Sequence, residues 1–510
     1  MNNTIEIITK INNAISDFMW VKIGLILLMG TGITMTIATK CFQLTHIGLW
    51  LKSTIGSMFT SKNKTKKKDS KSISQFQALC TALAGTIGTG SIAGVAAAIF
   101  YGGAGAVLWM WVAAFFGMMT KFAEIILGIY FRRKNENGEW SGGAMYYLSD
   151  GLGRNKKLKV FGKVLAVLFS VFTIIASFGI GNLSQVNKIS TNIQSAFFEN
   201  IDLGNIVGVP TLSIILGLII TVISAIIILG GLKRISAFAE KVVPFMAALY
   251  IVGTIVILFM NIRNIGPSFL SIFKNAFGTK ALQGGIIGIA VKEVIVQGCK
   301  KGIFSNEAGL GSSVMVHSSA RVREPVQQGM WGIFEVFFVT FVICTMTSLV
   351  ILTSGFVDLN TGIVVSGMND ATLVARIFEK NFGNFGDIFI AIAILLFAFT
   401  TILGWSQYGA KAIEYLLGIK AVKPYKILFV CTSVFGAVIS SSIAWEISDT
   451  FNAFMMLPNL IGLILLVPLI IKITKNFIDR KIKKIDTIPM LSYDENIQNE
   501  FIEEMKQEEN

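Results

Sequence analysis

The chain has 510 residues, 53% of them apolar and only 15% charged, with a mean hydropathy of +0.67. Soluble chains of this size carry nearer about a quarter charged residues. Runs of roughly 20 apolar residues, each long enough for a bilayer core of about 30 Å, recur throughout. The composition excludes a soluble protein. The net charge of +14 sits in particular loops and forms no stripe on a soluble domain, which argues against nucleic acid as a partner.

The first apolar stretch, about 18–39, is too long for a secretory h-region, lacks a small-residue cleavage site, and is expected to be a retained span. An amphipathic segment near His46 to Phe59 follows, then a basic run from Lys62 to Lys71 with six lysines. Ten further spans are expected near 75–101, 103–131, 161–196, 211–231, 235–260, 282–320, 328–353, 386–416, 425–441 and 447–475. The fold class is therefore an all-α polytopic membrane protein with about eleven transmembrane helices. Beyond about residue 485 the chain turns acidic and polar, and reads as a disordered or weakly helical tail without an assigned function.

Basic residues concentrate in every second loop: Lys62–Lys71, then Arg132 to Lys163, Lys233 and Arg234, Arg321 and Arg323, Lys411 to Lys426, and Arg480 to Lys484. The intervening loops are poorer, and 197–210 has no Lys or Arg. The positive-inside bias puts the N-terminus outside and the C-terminus in the cytoplasm, as an odd number of spans requires.

Two spans are interrupted by small and polar residues, AGTIGTGSIAG (Ala84 to Gly94) and FSNEAGLGSSVMVHSSA (Phe304 to Ala320). Hydrocarbon offers the backbone no substitute hydrogen bonds, so such breaks survive only where they face protein or a polar cavity. Each break opens a set of five spans, which divides the chain into an N-terminal span and basic loop (1–74), two five-helix repeats (75–260 and 282–475) and a tail (476–510). Five is odd, so the second repeat is inverted relative to the first, and a solute site is expected at the bilayer midplane between the broken helices.

In the first break Gly85, Gly88, Gly90 and Gly94 release the backbone from helical geometry, and Thr86, Thr89 and Ser91 add hydroxyls. Amides that start the continuing half-helix suit a carboxylate, whereas freed carbonyls suit a bare cation. Tight helix packing is the alternative use of these glycines. In the second break Glu307 serves either as a cap or as a ligand contact. Asn182 and Gln185, three residues apart, offer amides to a zwitterion or bind a neighbouring helix. Thr400 and Thr401 either meet a cation or bond back to their own helix, with Trp405 one turn on. The five cysteines are scattered and there are two histidines, so neither a Cys nor a His metal site is expected. No HExxH or GxSxG motif is present, which speaks against an enzyme. An internal twofold of unequal halves differs from the like-residue rings of channels.

GTIGTGSIAGVAAAI, FFGMMTKFAE, GGAMYYL, SFGIGN, GLKRISAFAEKVVPFMA, GIFSNEAGLGS, PVQQG, ICTMTSLVIL and FAFTTILGWSQYG, in this order across about 75–475, resemble the alanine/glycine:cation symporter family. The resemblance implies a multi-pass bacterial inner-membrane transporter with the two inverted five-helix repeats of the leucine-transporter fold. It implies sodium-coupled uptake of alanine or glycine, no cofactor beyond sodium as coupling ion, and function as a monomer. The same fold with proton coupling, or with another small neutral amino acid, is the alternative. Carried over by position, Thr89 and Gly90 meet the substrate carboxylate with Asn182 nearby and Ser91 at the substrate or ion site. Phe304, Ser305, Thr401 and Trp405 line a small pocket. Sodium takes the carbonyls of Ala84, Ile87 and Phe397 and the hydroxyls of Thr400 and Thr401. The chain departs from the family pattern at Ser91, where Asn is usual, at Ala104, where Pro is common, and at Val339, where Asp is frequent.

Overall fold

The computed structural model describes residues 2–59, 72–198, 201, 203–206, 209–277, 285–365, 367–368, 371–438 and 441–509. The basic run Lys62–Lys71 lies outside the described residues. Among them, seven helices are long and apolar enough to cross a membrane: α1 (Thr9–Ala38), α4 (Ala106–Tyr130), α5 (Lys159–Phe197), α6 (Thr211–Ile228), α7 (Gly231–Met260), α10 (Pro325–Thr353) and α11 (Asn384–Leu417). Two bent pairs bring the number to nine. One is α2 (Gln75–Thr86), followed after a break by a turn at Thr89–Ser91 and α3 (Ala93–Gly102), bent by 65°. The other is α13 (Ser441–Leu465) with α14 (Val467–Lys481), bent by 63° at the break between them, Leu466.

The other two expected spans are α8 (Gly285–Asn306), which carries Lys292, Glu293, Lys300 and Lys301, and α12 (Val422–Gly436), which has 15 residues. Two expectations need adjustment. The segment expected over 282–320 ends its long helix at Asn306, and one short turn, α9 (Val314–His317), follows before Arg321. The tail expected to be disordered or weakly helical forms α15 (Glu495–Glu509), packed on the body of the protein.

Local chemistry explains the elements that frame the site. Ser74 and Gln77 form a reciprocal capping box at 3.0 Å each way, which fixes where α2 starts. The Gln77 amide then reaches Glu240 of α7 at 2.8 Å. Wider π-type turns interrupt α5 at Gly179–Leu183 and α10 at Phe337–Cys344, shifting the faces of both helices midway. At Ala104 the N–H donates to the Gly362 carbonyl at 2.9 Å, a bond that a proline there could not make. Ile215, Leu218, Ile219, Val222, Ile223 and Ile226 leave one side of α6 apolar and exposed, as a lipid-facing helix requires.

The loops sort to two ends. At the basic end, Ile73 pairs with Ala320, a hairpin of β1 (Arg133–Lys134) and β2 (Trp140–Ser141) meets α11, and Arg480 grips Glu324 at 2.8 Å through both guanidinium nitrogens. At the opposite end Ala104 bonds Gly362, Asn264 bonds Thr353 and Asn261 bonds Asn381. Gly32 packs on Phe116 and Phe42 stacks on Phe122, so α1 runs parallel to α4 and starts at the end opposite the basic one.

Candidate functional site

The interrupted helix α2–α3 is unwound by its glycines. Ile87 leaves helical geometry at φ −81° and ψ 73°. The Gly88 amide turns to the Thr86 carbonyl at 3.0 Å, and the Ser91 amide to Gly88 at 3.1 Å. In a continuous helix those amides would satisfy the carbonyls of Ala84 and Ile87, so the break takes their donors away. The turn's other bond, Ile92 to Thr89 at 3.2 Å, likewise does not use the Thr89 or Gly90 amide.

Helix α11 closes on this break. A Cβ at Gly404 would lie 2.7 Å from the Gly85 nitrogen, and one at Gly88 only 2.6 Å from Thr401 Oγ1. The small residues are there to let backbone and hydroxyl approach. Thr401 Oγ1 donates to the Phe397 carbonyl at 2.9 Å. Thr400 Oγ1 donates to Leu396 at 2.9 Å or Phe397 at 3.0 Å and touches Met246 Sδ at 3.5 Å. Back-bonding to the helix is thus present, yet a hydroxyl that donates to a carbonyl keeps its lone pairs for a cation. Gly88 thus lies against Thr401, whose hydroxyl bonds the Phe397 carbonyl, and Gly404 lies against Gly85, next to Ala84, while Thr400 also touches Met246 of α7.

The second break lies directly against the first. Ser91 Oγ and Ser305 Oγ are 3.1 Å apart, and Ser305 Oγ is 3.0 Å from Cys344 Sγ in the wide turn of α10. Thr347 Oγ1 donates to the Ser91 carbonyl at 3.0 Å. A Cβ at Gly90 would stand 3.1 Å from the Phe304 ring. Helix α8 ends where Glu307 takes a left-handed conformation (φ +54°), followed by Gly309 (φ +90°) and Gly311 (φ +72°). Thr89, Ser91, Ser305, Thr401 and Trp405 are all buried, and Phe304 is half-buried.

Trp405 reaches the second break from α11. Its indole N–H donates to Glu307 Oε1 at 3.1 Å, while Gly181 of α5 gives it room, because a Cβ there would lie 2.3 Å from Trp405 Cβ. Asn182 is placed elsewhere. Its amide nitrogen donates to the Phe429 carbonyl at 2.5 Å and to Thr432 Oγ1 at 3.1 Å, and its oxygen accepts from Ser433 at 2.8 Å, all on α12. The wide turn at Gly179–Leu183 rotates it off the face expected from helical spacing. Gln185, not Asn182, meets the first break: its Oε1 accepts from Thr89 Oγ1 at 3.1 Å.

Behind the second break, toward the basic end, lies a buried ionic network. Lys121 Nζ donates to the Glu307 carbonyl at 3.1 Å and to Ser313 Oγ at 2.9 Å, and pairs with Glu335 at 3.5 Å. Glu335 contacts His317 Nε2 at 3.0 Å, and Gln328 approaches the other ring nitrogen at 2.8 Å. Glu124 accepts from the Gly311 amide at 3.1 Å and from Asn459 at 2.6 Å. Glu307 also accepts from Ser312 at 2.5 Å, so its side chain links this network to Trp405. Val339, where the family pattern favours Asp, is fully buried next to Thr340, whose hydroxyl holds Asn306 at 3.0 Å. Lys121, Glu124, His317, Glu335 and Cys344 received no role from the sequence. The available signal was two ionisable residues one turn apart, Lys121 and Glu124, inside an apolar span.

Residues 5–490 match the model of the sodium:alanine symporter family. The sodium/alanine symporter AgcS of Methanococcus maripaludis is 41% identical over 91% of this chain and 96% of its own length. The probable sodium/glutamine symporter GlnT of Bacillus subtilis is 34% identical over 93% of this chain and 92% of its own. Among solved structures, MhsT in complex with L-phenylalanine superposes with a TM-score of 0.49 at 15% identity, covering 79% of this chain and 98% of that one.

Proposed function

The chain belongs to the sodium:alanine symporter family, and from that premise we propose that it carries alanine or glycine into the cell together with sodium. One observation supports this most: two broken helices converge in a single buried knot, where Gly88 lies against Thr401 and Ser91 against Ser305. In this reading sodium is cargo. It sits among the carbonyls of Ala84, Ile87 and Phe397 and the hydroxyls of Thr400 and Thr401, an all-oxygen set that suits a hard cation. The substrate carboxylate addresses the Thr89 and Gly90 amides ahead of α3, where the helix dipole is positive. Ser91, Ser305, Phe304 and Trp405 bound the space left for a side chain, which favours a hydrogen or a methyl group. Asn182 supports the site by tying α5 to α12, and Gln185 orients Thr89.

The loops of the basic end face the cytoplasm by the positive-inside bias, which leaves the N-terminus outside. Residues 75–260 and 282–475 act as inverted repeats, each opening with a broken helix. The protein works as a monomer in the bacterial inner membrane. Uptake of labelled alanine into proteoliposomes tests this. An inward sodium gradient should drive uptake that glycine competes and leucine does not, and potassium should not replace sodium. Uptake driven equally well without sodium would reject the proposal.

A further inference from the structure

The family match ends at residue 490, and α15 lies beyond it. The segment is nevertheless built into the basic end. Asp494 caps the helix by accepting from the amides of Asn496 at 2.9 Å and Ile497 at 3.2 Å. Gln498 Oε1 accepts from the amides of Leu491 and Ser492 at 2.8 Å each, and the Tyr493 amide donates to the Tyr130 carbonyl at 2.9 Å. Leu491, Ile497 and Phe501 bury against Trp140 of β2. Lys134 pairs with Glu500 at 2.9 Å, and Arg323 with Glu504 at 3.1 Å and Glu508 at 2.5 Å. The helix therefore joins two loops distant in sequence, the β1–β2 hairpin and the segment after the second break.

Behind that contact stands Arg132, buried and stacked 3.9 Å over Trp140, with Phe501 at 5.9 Å. Its guanidinium donates to the carbonyls of Ser318 at 3.1 Å, Ala320 at 2.6 Å and Val322. The same stretch is stitched to the start of the first broken helix. The Arg321 amide donates to the Ile73 carbonyl at 2.8 Å, the Ile73 amide to Ser319 at 3.3 Å, and Arg321 Nε to Ser72 at 3.2 Å. A continuous chain of contacts thus runs from α15 through Trp140 and Arg132 to the joint between the two broken helices.

We propose that the basic, aromatic surface of Arg132, Lys134, Trp140 and Arg323 is a docking site for an acidic amphipathic helix, occupied here by the chain's own α15, and that its occupation holds the Ile73–Ala320 joint shut. The gating part rests on the transport reading, in which a solute released at the basic end must pass between the parted ends of α2 and the second break. The strap acts as a brake on opening toward that side. It is released by whatever competes for Arg323 and Lys134 or removes Phe501 from Trp140.

The test uses two variants of the whole protein in proteoliposomes, a truncation after Ile485 and full-length Phe501→Ala/Glu504→Lys/Glu508→Lys. Each carries Ser72→Cys on a background without native cysteines. Two of the replaced contacts are exposed ion pairs of modest individual worth, so together with the loss of Phe501 the rate of maleimide labelling at position 72 should rise at least about fivefold. A synthetic peptide of residues 486–510 should return the truncated protein to the slow rate. Labelling needs no substrate, so it reports on the strap even if alanine is not carried. Hydrogen exchange at β1–β2 establishes that α15 has left. Undocking by that criterion with an unchanged labelling rate in both variants overturns the proposal, as does a truncated protein on which the peptide has no effect.

Discussion

Replacing Lys121 with methionine probes the ionic network that holds the second break. Met has nearly the same length, so the perturbation is the loss of one charge and three donors in a site with no exposure on either Lys121 or Glu335. At 3.5 Å the gross attraction between the pair is about 5 kcal/mol for an effective dielectric near 20. Desolvation offsets much of this in the intact pair, but removing one partner strands the other charge, at a cost of about 3–5 kcal/mol. The Glu307 carbonyl and Ser313 Oγ also lose their charged donor. Adding Glu335→Gln removes the stranded charge and leaves an amide oxygen for His317. The double variant should therefore unfold within about 2 kcal/mol of the parent, a coupling of at least about 2 kcal/mol. Unfolding of the purified protein in mixed detergent–SDS micelles measures all four corners of this cycle. A single-variant loss below about 1 kcal/mol, or a double variant no more stable than Lys121→Met, would refute the claim that Lys121 and Glu335 are a buried, mutually dependent pair.

Other consequences are open to direct measurement. Gly88→Ala forces a Cβ to within 2.6 Å of Thr401 Oγ1 and should raise the half-saturating sodium concentration by about tenfold or more, as should Thr401→Ala. Thr221→Ala, whose hydroxyl only bonds back to Gly217 in α6, should leave it unchanged, and equal effects would remove Thr401 from the ion site. Asn182→Ala leaves acceptors and donors on α12 unsatisfied and should lower stability by about 1–3 kcal/mol while the half-saturating alanine concentration stays within about twofold. A selective loss of alanine affinity would return Asn182 to the substrate site. At α15, the bond from Arg323 holds the Glu508 carboxyl below its usual range. That contact is fully present above the ordinary glutamate value of about 4.3 and is lost as pH falls through the lower folded value. Docking should therefore be constant between about pH 6 and 8 yet weaken with rising salt, and labelling at position 72 across both series checks it.

What could be read from the residues was set by physics that is local in sequence. Glycines at 85, 88 and 90 and at 309 and 311 announce a backbone that cannot stay helical, and the partner groups they admit, Thr401 and Phe304, lie where small residues leave room. The face of Asn182 was not legible, because it lies inside the wide turn at Gly179–Leu183, where 3.6-residue spacing does not hold. The network around Lys121 draws on α4, α9, α10 and the second break, so its pairing is a product of packing and is invisible in any single segment. The docking of the tail helix was not legible for a related reason. Its acidic composition signals disorder when counted alone, but Leu491, Ile497 and Phe501 find Trp140 and a basic rim only in the folded protein.

In the proposed symport, sodium and the amino acid share one site formed where the two breaks meet. Binding of alanine to the purified protein, titrated in sodium and in potassium at equal ionic strength, measures that coupling. Linkage requires that sodium tighten alanine binding by the same factor by which alanine tightens sodium binding. A factor of at least about tenfold is expected in the parent protein, with most of it lost in Thr401→Ala. Alanine binding that is equally tight in both salts would contradict it.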